Sequence, residues 1–171
     1  MSKRIKISSI EQEQRELVPI VAASDEWHTV EERPATEQPR RLAVFGSRSI
    51  QDCRAEIVIT EILTEYATIH TVVTTQEPRG VCEIAQAIAK KRSLILELHF
   101  LDFKYLRGAF EHRSKQVING SDFVLLVHDG VSQGTKNELD LTRKSTKPYR
   151  YIVMQPSSVH ADRNVGENLL K

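Results

Sequence analysis

The sequence predicts an α/β fold, with a doubly wound parallel sheet of about five strands, helices on both faces and an N-terminal arm. Short apolar runs alternate with stretches of helical apolar spacing from residue 41 onward. Three of the apolar runs are followed by loops that hold glycine together with serine, arginine or proline. The strand-to-strand interval suits crossover helices. These observations together indicate a Rossmann-like domain.

Each predicted element has its own signal in the sequence. Apolar and β-branched residues dominate the strands, and apolar residues three or four apart define the first two helices. The sequence Asn119-Gly120 ends one helix, and Pro148 introduces the last strand. The elements, in order, are strand 42–45, helix 52–66, strand 71–75, helix 81–92, strand 94–100, helix 109–118, strand 122–128, helix 136–144 and strand 149–154.

Residues 1–40 differ in character from the rest of the chain. They are rich in Glu, Gln and Arg, and carry three prolines with one short apolar patch at 17–23. We interpret them as an arm or linker, which either docks on the domain or a second subunit or forms a flexible leader. The predicted domain covers 41–156, and a C-terminal tail covers 157–171.

Composition limits the possible functions. With 171 residues, 40% hydrophobic content and a net charge of +1, the chain can bury one good core but has no strong field for polyanions, so nucleic acid is not an expected partner. Cys53 and Cys82 do not have zinc-binding spacing, and we expect neither a metal nor a cofactor. No apolar run approaches the length of a membrane span, so a cytoplasmic location is expected.

The most informative stretch is the apolar run 122–128 followed by 129–138. A strand that opens through small residues into a helix presents backbone N–H groups that can hold an anion. Gly134 and Thr135 are therefore candidate phosphate contacts, and Glu138 is expected in the first helical turn facing the same crevice. The spacing of Thr135 and Glu138 also fits a capping box, which would only start the helix.

Four loops are expected to converge at the carboxyl ends of the strands, where doubly wound sheets bind ligands. They are 46–49, 76–80, the segment leading into the helix with Arg113, and 130–135. Their hydroxyls, arginines and helix N-termini suit a phosphate or a ribose phosphate. The candidate ligand-binding residues are Gly46, Ser47, Arg48, Gly80, Ser132, Gly134 and Thr135.

The order of these motifs resembles the SLOG superfamily. Gly46-Ser-Arg48 follows the first strand, Arg113 lies in the helix before Ser121-Asp122, and the segment from Asp129 to Glu138 follows the next strand. The superfamily includes the Lonely Guy phosphoribohydrolases, YspA/YpsA-like nucleotide-binding proteins and the Rossmann-like part of DprA. The resemblance covers about residues 41 to 154, and it implies a site for a nucleotide or a nucleotide-derived ligand and a homodimer.

In the phosphoribohydrolase branch, an arginine and a glutamate that match Arg113 and Glu138 serve cleavage of the N-glycosidic bond. The chain lacks that branch's Pro-Gly-Gly before Gly134, and Cys82 stands where the YspA-like branch has an aspartate. Glu77 would repel an anion in the second loop unless Arg79 offsets it. We therefore expect a nucleotide-binding sensor, carrier or sponge, with a nucleoside monophosphate phosphoribohydrolase as the alternative.

Overall fold

A computed structural model describes residues 27–155 of the chain, and within them strands and helices alternate as the sequence predicts. The strands are β1 Trp27–Arg33, β2 Arg41–Gly46, β3 Thr71–Thr75, β4 Ile95–His99, β5 Phe123–His128 and β6 Tyr149–Met154. The helices are α1 Cys53–Glu65, α2 Val81–Lys91, α3 Ala109–Asn119 and α4 Gln133–Lys144, and a 3-10 segment, Phe103–Gly108, precedes α3.

The six strands form one sheet in the order β1-β6-β5-β2-β3-β4. All neighbouring pairs are parallel except β1 and β6, which are antiparallel. From the central strand β2, the chain first moves outward through β3 to β4, and then returns to β5 on the other side of β2. This reversal between β2 and β5 is the switch point at which doubly wound sheets bind ligands, and it confirms the predicted fold class.

Two apolar cores lie on opposite faces of the sheet, because successive side chains of a strand point to opposite sides. In β2, Leu42 and Val44 join the core beneath α1 and α2, whereas Ala43 and Phe45 join the core beneath α3 and α4. All four of these side chains are fully buried. The central strands are therefore fixed from both faces, and their carboxyl-end loops are held at one edge.

The structure corrects the predicted arm at its C-terminal end, because Trp27–Arg33 is a sixth strand that pairs with β6 at the sheet edge. An edge strand needs only one buried side, and this one is mostly polar, so it has no apolar run that the sequence analysis could detect. Arg33 helps to hold it by donating to the carbonyl oxygens of Ser145 and Lys147, at 2.7 and 3.0 Å. Residues 1–26 of the arm and the predicted tail, 157–171, lie outside the described residues.

Helix α4 begins at Gln133, three residues before the predicted start. Its N-cap is Ser132, whose hydroxyl accepts from the Thr135 amide at 3.5 Å, so the capping box expected from Thr135 and Glu138 is wrong. Glu138 is the sixth residue of α4 and lies in its second turn rather than its first. Among residues 27–155, none of the helices is long and apolar enough to cross a membrane.

Candidate functional site

A cavity of about 380 Å³ lies at the carboxyl ends of β2, β3 and β5, at the switch point of the sheet. Three of the four loops expected to converge there contribute to its wall, which are 46–49, 76–80 and 130–135. The segment before α3 does not, and α3 itself contributes Phe110 and Arg113. We call it the first cavity. It is lined by Gly46, Arg48, Ser49, Thr75, Glu77, Cys82, Phe110, Arg113, Asp129, Ser132, Gly134, Thr135 and Glu138.

Seven of the nine predicted site residues line this cavity, which are Gly46, Arg48, Arg113, Ser132, Gly134, Thr135 and Glu138. Helix geometry explains two of them. Arg113 shares the buried face of α3 with Ala109 and Val117, four residues away on either side. Glu138 adjoins the buried residues Thr135 and Leu139 of α4.

The other two predicted residues, Ser47 and Gly80, do not line the cavity and instead support the loops behind it. The Ser47 hydroxyl accepts from the Asp129 amide at 3.0 Å and lies 3.3 Å from the Thr135 hydroxyl, so it joins the β2 loop to the start of α4. Gly80 has a φ of 79°, and a Cβ there would lie 2.4 Å from the Arg48 Cα. Only glycine lets the two loops approach this closely.

Asp129, which the sequence analysis did not select, organises the loop before α4. Its Oδ1 accepts from the amides of Val131 and Ser132 at 2.9 and 2.7 Å, and its Oδ2 accepts from the Ser49 hydroxyl at 2.6 Å. Burial acts to raise the pKa of Asp129, but these hydrogen bonds outweigh it and leave the pKa below its usual value. The position of an aspartate directly after an apolar strand was the signal in the sequence.

Glu77 was expected to repel an anion unless Arg79 offset it, but its partners are two other arginines. Its Oε2 lies 2.8 Å from Nη2 of Arg48, and its Oε1 lies 3.2 Å from Nη2 of Arg113. The carboxylate thus joins the β2 loop to α3 across the cavity. Its place just after the carboxyl end of β3 could have identified it from the sequence.

Two buried polar atoms in the described part of the chain have no hydrogen-bond partner, and both belong to residues that line the first cavity. They are Oγ1 of Thr75 and Nε of Arg113, whose residues are only 1% and 6% exposed. The Cys82 thiol interacts with the Thr75 hydroxyl, but a thiol is only a weak hydrogen-bonding group. Since unsatisfied buried polar atoms are costly, both are suited to meet a polar ligand.

Glu138 is the third group without a partner, because its carboxylate forms no hydrogen bond or ion pair within residues 27–155. Burial against the cavity wall raises its pKa to about 8, and the negative charge of Glu77 acts in the same direction. The positive charges of Arg113 and Arg48 oppose this shift without cancelling it. At neutral pH the side chain is therefore largely a neutral acid that can donate a proton.

Other features of the described region do not form a comparable site. A larger depression of about 610 Å³ lies on the outer face of α1, but it contains neither of the unsatisfied atoms. Burial raises the pKa of the Cys82 thiol, so the side chain is protonated and unreactive. No group of three or more His, Cys, Asp or Glu side chains in residues 27–155 is placed to hold a metal ion.

The geometry therefore joins two arginines, an N-capped helix start, two unsatisfied buried atoms and a neutral glutamic acid around one cavity. In comparisons with known proteins, no family model, no curated protein and no solved structure matches this chain.

Proposed function

We propose that this protein binds a nucleotide or nucleotide-derived ligand in the first cavity, as a sensor, carrier or sponge of the SLOG type. One observation carries the proposal. The two unsatisfied buried polar atoms of residues 27–155, on Thr75 and Arg113, belong to residues around a cavity at the switch point of a doubly wound sheet. Both atoms are buried in the wall, so a ligand oxygen would satisfy them after a small shift of the side chains around them. This edge of the sheet is where such folds bind ligands.

The phosphate of the ligand would lie at the start of α4. Gly134 is the second residue of that helix, so its amide has no partner within the helix, and it lines the first cavity. The partial positive charge of the helix N-terminus and the guanidinium groups of Arg48 and Arg113 favour an anion there. A phosphate would compete with Glu77 for these two arginines.

The ribose of the ligand would occupy the remainder of the first cavity. The Thr75 hydroxyl can donate to or accept from a sugar hydroxyl. Asp129 lines the same cavity as an ionised carboxylate, and it can accept a further hydrogen bond. A phosphorylated sugar therefore fits both the charged and the neutral polar groups of the wall.

Isothermal titration of the full chain with ribose 5-phosphate and with the four common nucleoside 5′-monophosphates tests the proposal. Binding of a phosphorylated ligand that Arg113→Ala weakens would support it. Arg92→Ala is the matched control, because this exposed arginine at the end of α2 lies outside the first cavity. Failure of every ligand to bind to wild type would contradict the proposal.

A second function, the phosphoribohydrolase alternative, is favoured by Glu138. Its carboxyl group has no hydrogen-bond partner within residues 27–155, and its pKa is raised to about 8. In this scheme the C1′–N bond breaks as protonated Glu138 gives its proton to the leaving base. Water then adds at C1′ and its proton returns to Glu138, so the products are the free base and ribose 5-phosphate. The Asp129 pKa is shifted downward, and such a divergence is typical of an acid and base pair.

Chromatography of the same nucleotides after incubation with the protein separates the two functions. Release of free base by wild type, abolished by Glu138→Gln, would identify a hydrolase. Binding of nucleotides that are recovered intact would identify a binding module. Glu83→Gln, an exposed glutamate in the first turn of α2, is the control for loss of a carboxylate.

Homodimerisation, which the resemblance implies, is part of the same proposal. The outer face of α1 supports it, because Ile57 is 42% exposed there beside the 610 Å³ depression. A second copy of the chain packed on this helix would cover that apolar side chain. Light scattering of the full chain, with Ile57→Glu as the disrupting variant, measures the oligomeric state.

A further inference from the structure

A second cavity, of about 580 Å³, adjoins the first and lies between α3 and α4. Phe110, Gly134 and Glu138 line both cavities. A ligand held in the first cavity can therefore extend into the second past these three residues. The combined space is within the range of pockets that hold a small molecule of nucleotide size.

The walls of the second cavity suit a neutral, flat group. The lining holds equal numbers of cations, Arg107 and Lys144, and of ionised carboxylates, Glu111 and Asp140, so its formal charges cancel. Glu111 and Asp140 form their ion pairs outside the cavity, with Lys115 and Arg143. Phe110 and Leu141 supply apolar surface. A nucleobase is neutral and aromatic, whereas a second phosphate would need an excess of cations.

Phe110 is placed to stack on such a group. Its side chain lines both cavities and is 55% exposed, so the ring is open to contact with a ligand. The guanidinium carbon of Arg113 lies 5.4 Å from the centre of its ring. A base stacked on Phe110 would therefore lie near a phosphate held by Arg113, as the base and the phosphate of a single nucleotide must.

Asn137 supplies a hydrogen-bonding edge in the same cavity. Its Oδ1 accepts from Nε2 of Gln133 at 2.9 Å, which fixes the orientation of the amide and leaves its NH₂ group as a donor. Asparagine amides recognise base edges through such donors. The amide is therefore suited to meet an acceptor on the edge of a base.

We infer that the second cavity is the base-binding subsite, in which the nucleobase stacks on Phe110 and presents its edge to Asn137. The inference rests on the proposed function, because the phosphate and ribose are taken to occupy the first cavity. It specifies the ligand further, as a nucleotide with an intact base rather than a sugar phosphate.

Titration of the full chain with ribose 5-phosphate and with the tightest-binding nucleoside monophosphate tests the inference. Wild type is expected to bind the nucleotide roughly tenfold or more tightly than ribose 5-phosphate, since base stacking on an aromatic ring is strong enough to give such a difference. Phe110→Ala should remove most of that advantage, because it should weaken nucleotide binding much more than ribose 5-phosphate binding. Phe103→Ala is the matched control, because it is a 75% exposed phenylalanine that lines neither cavity.

Asn137→Ala should change the preference among the four bases without altering ribose 5-phosphate binding. The inference is overturned if wild type binds the nucleotide no better than ribose 5-phosphate, or if Phe110→Ala weakens both ligands equally or neither. In each of those results ribose 5-phosphate still binds, so the proposed function stands. If no phosphorylated ligand binds to wild type, the proposed function fails and the inference fails with it.

Discussion

Arginines and carboxylates cluster in two regions of this molecule, and the two clusters are paired differently. At the β1–β6 edge, Glu31 accepts from Nη2 of Arg143 at 2.6 Å and from the Tyr149 hydroxyl, and Arg150 lies 2.8 Å from a carboxylate oxygen of both Glu32 and Glu65. In the first cavity, the carboxylate of Glu138 has no partner within residues 27–155. The carboxylates of Glu31, Glu32 and Glu65 are all paired at the edge, whereas in the cavity Glu77 is paired and Glu138 is not.

The difference is visible in the proton affinities of the carboxyl groups. Hydrogen bonds from Arg143 and Tyr149 hold the pKa of Glu31 below its usual value, and a hydrogen bond from Arg150 does the same for Glu65. Burial instead raises the pKa of Glu138 to about 8. Paired charges thus attach an edge strand to the sheet, whereas the groups of the cavity are costly to the fold and are available to a ligand.

The largest expected effect comes from Glu138→Gln, measured as the free energy of unfolding against pH. In the unfolded chain Glu138 loses its proton near pH 4.5, but in the folded protein it keeps the proton up to about pH 8. The folded state therefore binds more protons in this window, and the stability of wild type falls as pH rises through it. Relative to wild type, the variant should gain a few kcal/mol between these limits, on the order of 1 kcal/mol per pH unit.

The β1–β6 edge with its ion pairs, which we call the paired edge, should show the opposite dependence of stability on pH in the same experiment. Since the folded pKa of Glu31 is lowered, its contribution is present above the unfolded pKa of about 4.5 and is lost as pH falls through the folded value. Glu31→Gln should therefore reduce the acid-side dependence and leave the slope between pH 5 and 8 unchanged. If the free energy of unfolding has the same slope against pH for wild type and Glu138→Gln across that window, the pKa of Glu138 is not raised and the two regions do not differ.

Arg113→Ala is expected to have the next largest effect, on ligand affinity. In the proposed function the buried guanidinium of Arg113 holds the phosphate, so its removal should weaken ribose 5-phosphate binding roughly 10- to 100-fold, measured by calorimetry. Arg113→Lys keeps the positive charge but lacks the Nε donor and the planar fork, so its loss should be intermediate. Unchanged binding by both variants, with normal thermal unfolding, would show that the phosphate lies elsewhere.

The fold was more predictable from the sequence than the site because its signals are local. Apolar runs and helical spacing found β2, β3 and the helices within a few residues. Strand β1 was not predicted, because this edge strand is held by ion pairs of Glu31 and Glu32 and has no apolar run. The start of α4 was misplaced because Ser132 and Thr135 are both good capping residues, and only the folded loop decides between them.

The positions of the site residues followed from topology, but their pairing did not. Parallel strands bring their carboxyl ends together, so the loops with Arg48, Gly134 and Glu138 were expected to meet, and these residues do line one cavity. Which side chains would pair across the cavity depends on three-dimensional distances. The partners of Glu77 are therefore Arg48 and Arg113 rather than its sequence neighbour Arg79.

A smaller effect is expected when the paired edge is broken. Glu31→Gln should lower the free energy of unfolding at pH 7 by about 1 kcal/mol, because a partly exposed ion pair with Arg143 is replaced by weaker neutral hydrogen bonds. Urea denaturation measures this change, and ribose 5-phosphate affinity should stay the same. A change in ribose 5-phosphate affinity without a change in stability would mean that Glu31 contributes to ligand binding rather than to the fold.

The smallest effect, and the sharpest test of the cavity, is expected from Glu77→Gln. The variant removes the charge that Arg48 and Arg113 share, so inorganic phosphate should bind roughly two- to fivefold more tightly, and the gain should shrink as salt is added. Glu83→Gln controls for the change in net charge, because Glu83 is exposed on α2. Weaker phosphate binding by Glu77→Gln would mean that Glu77 orients the arginines rather than competing with the ligand, and the cavity would then resemble the paired edge.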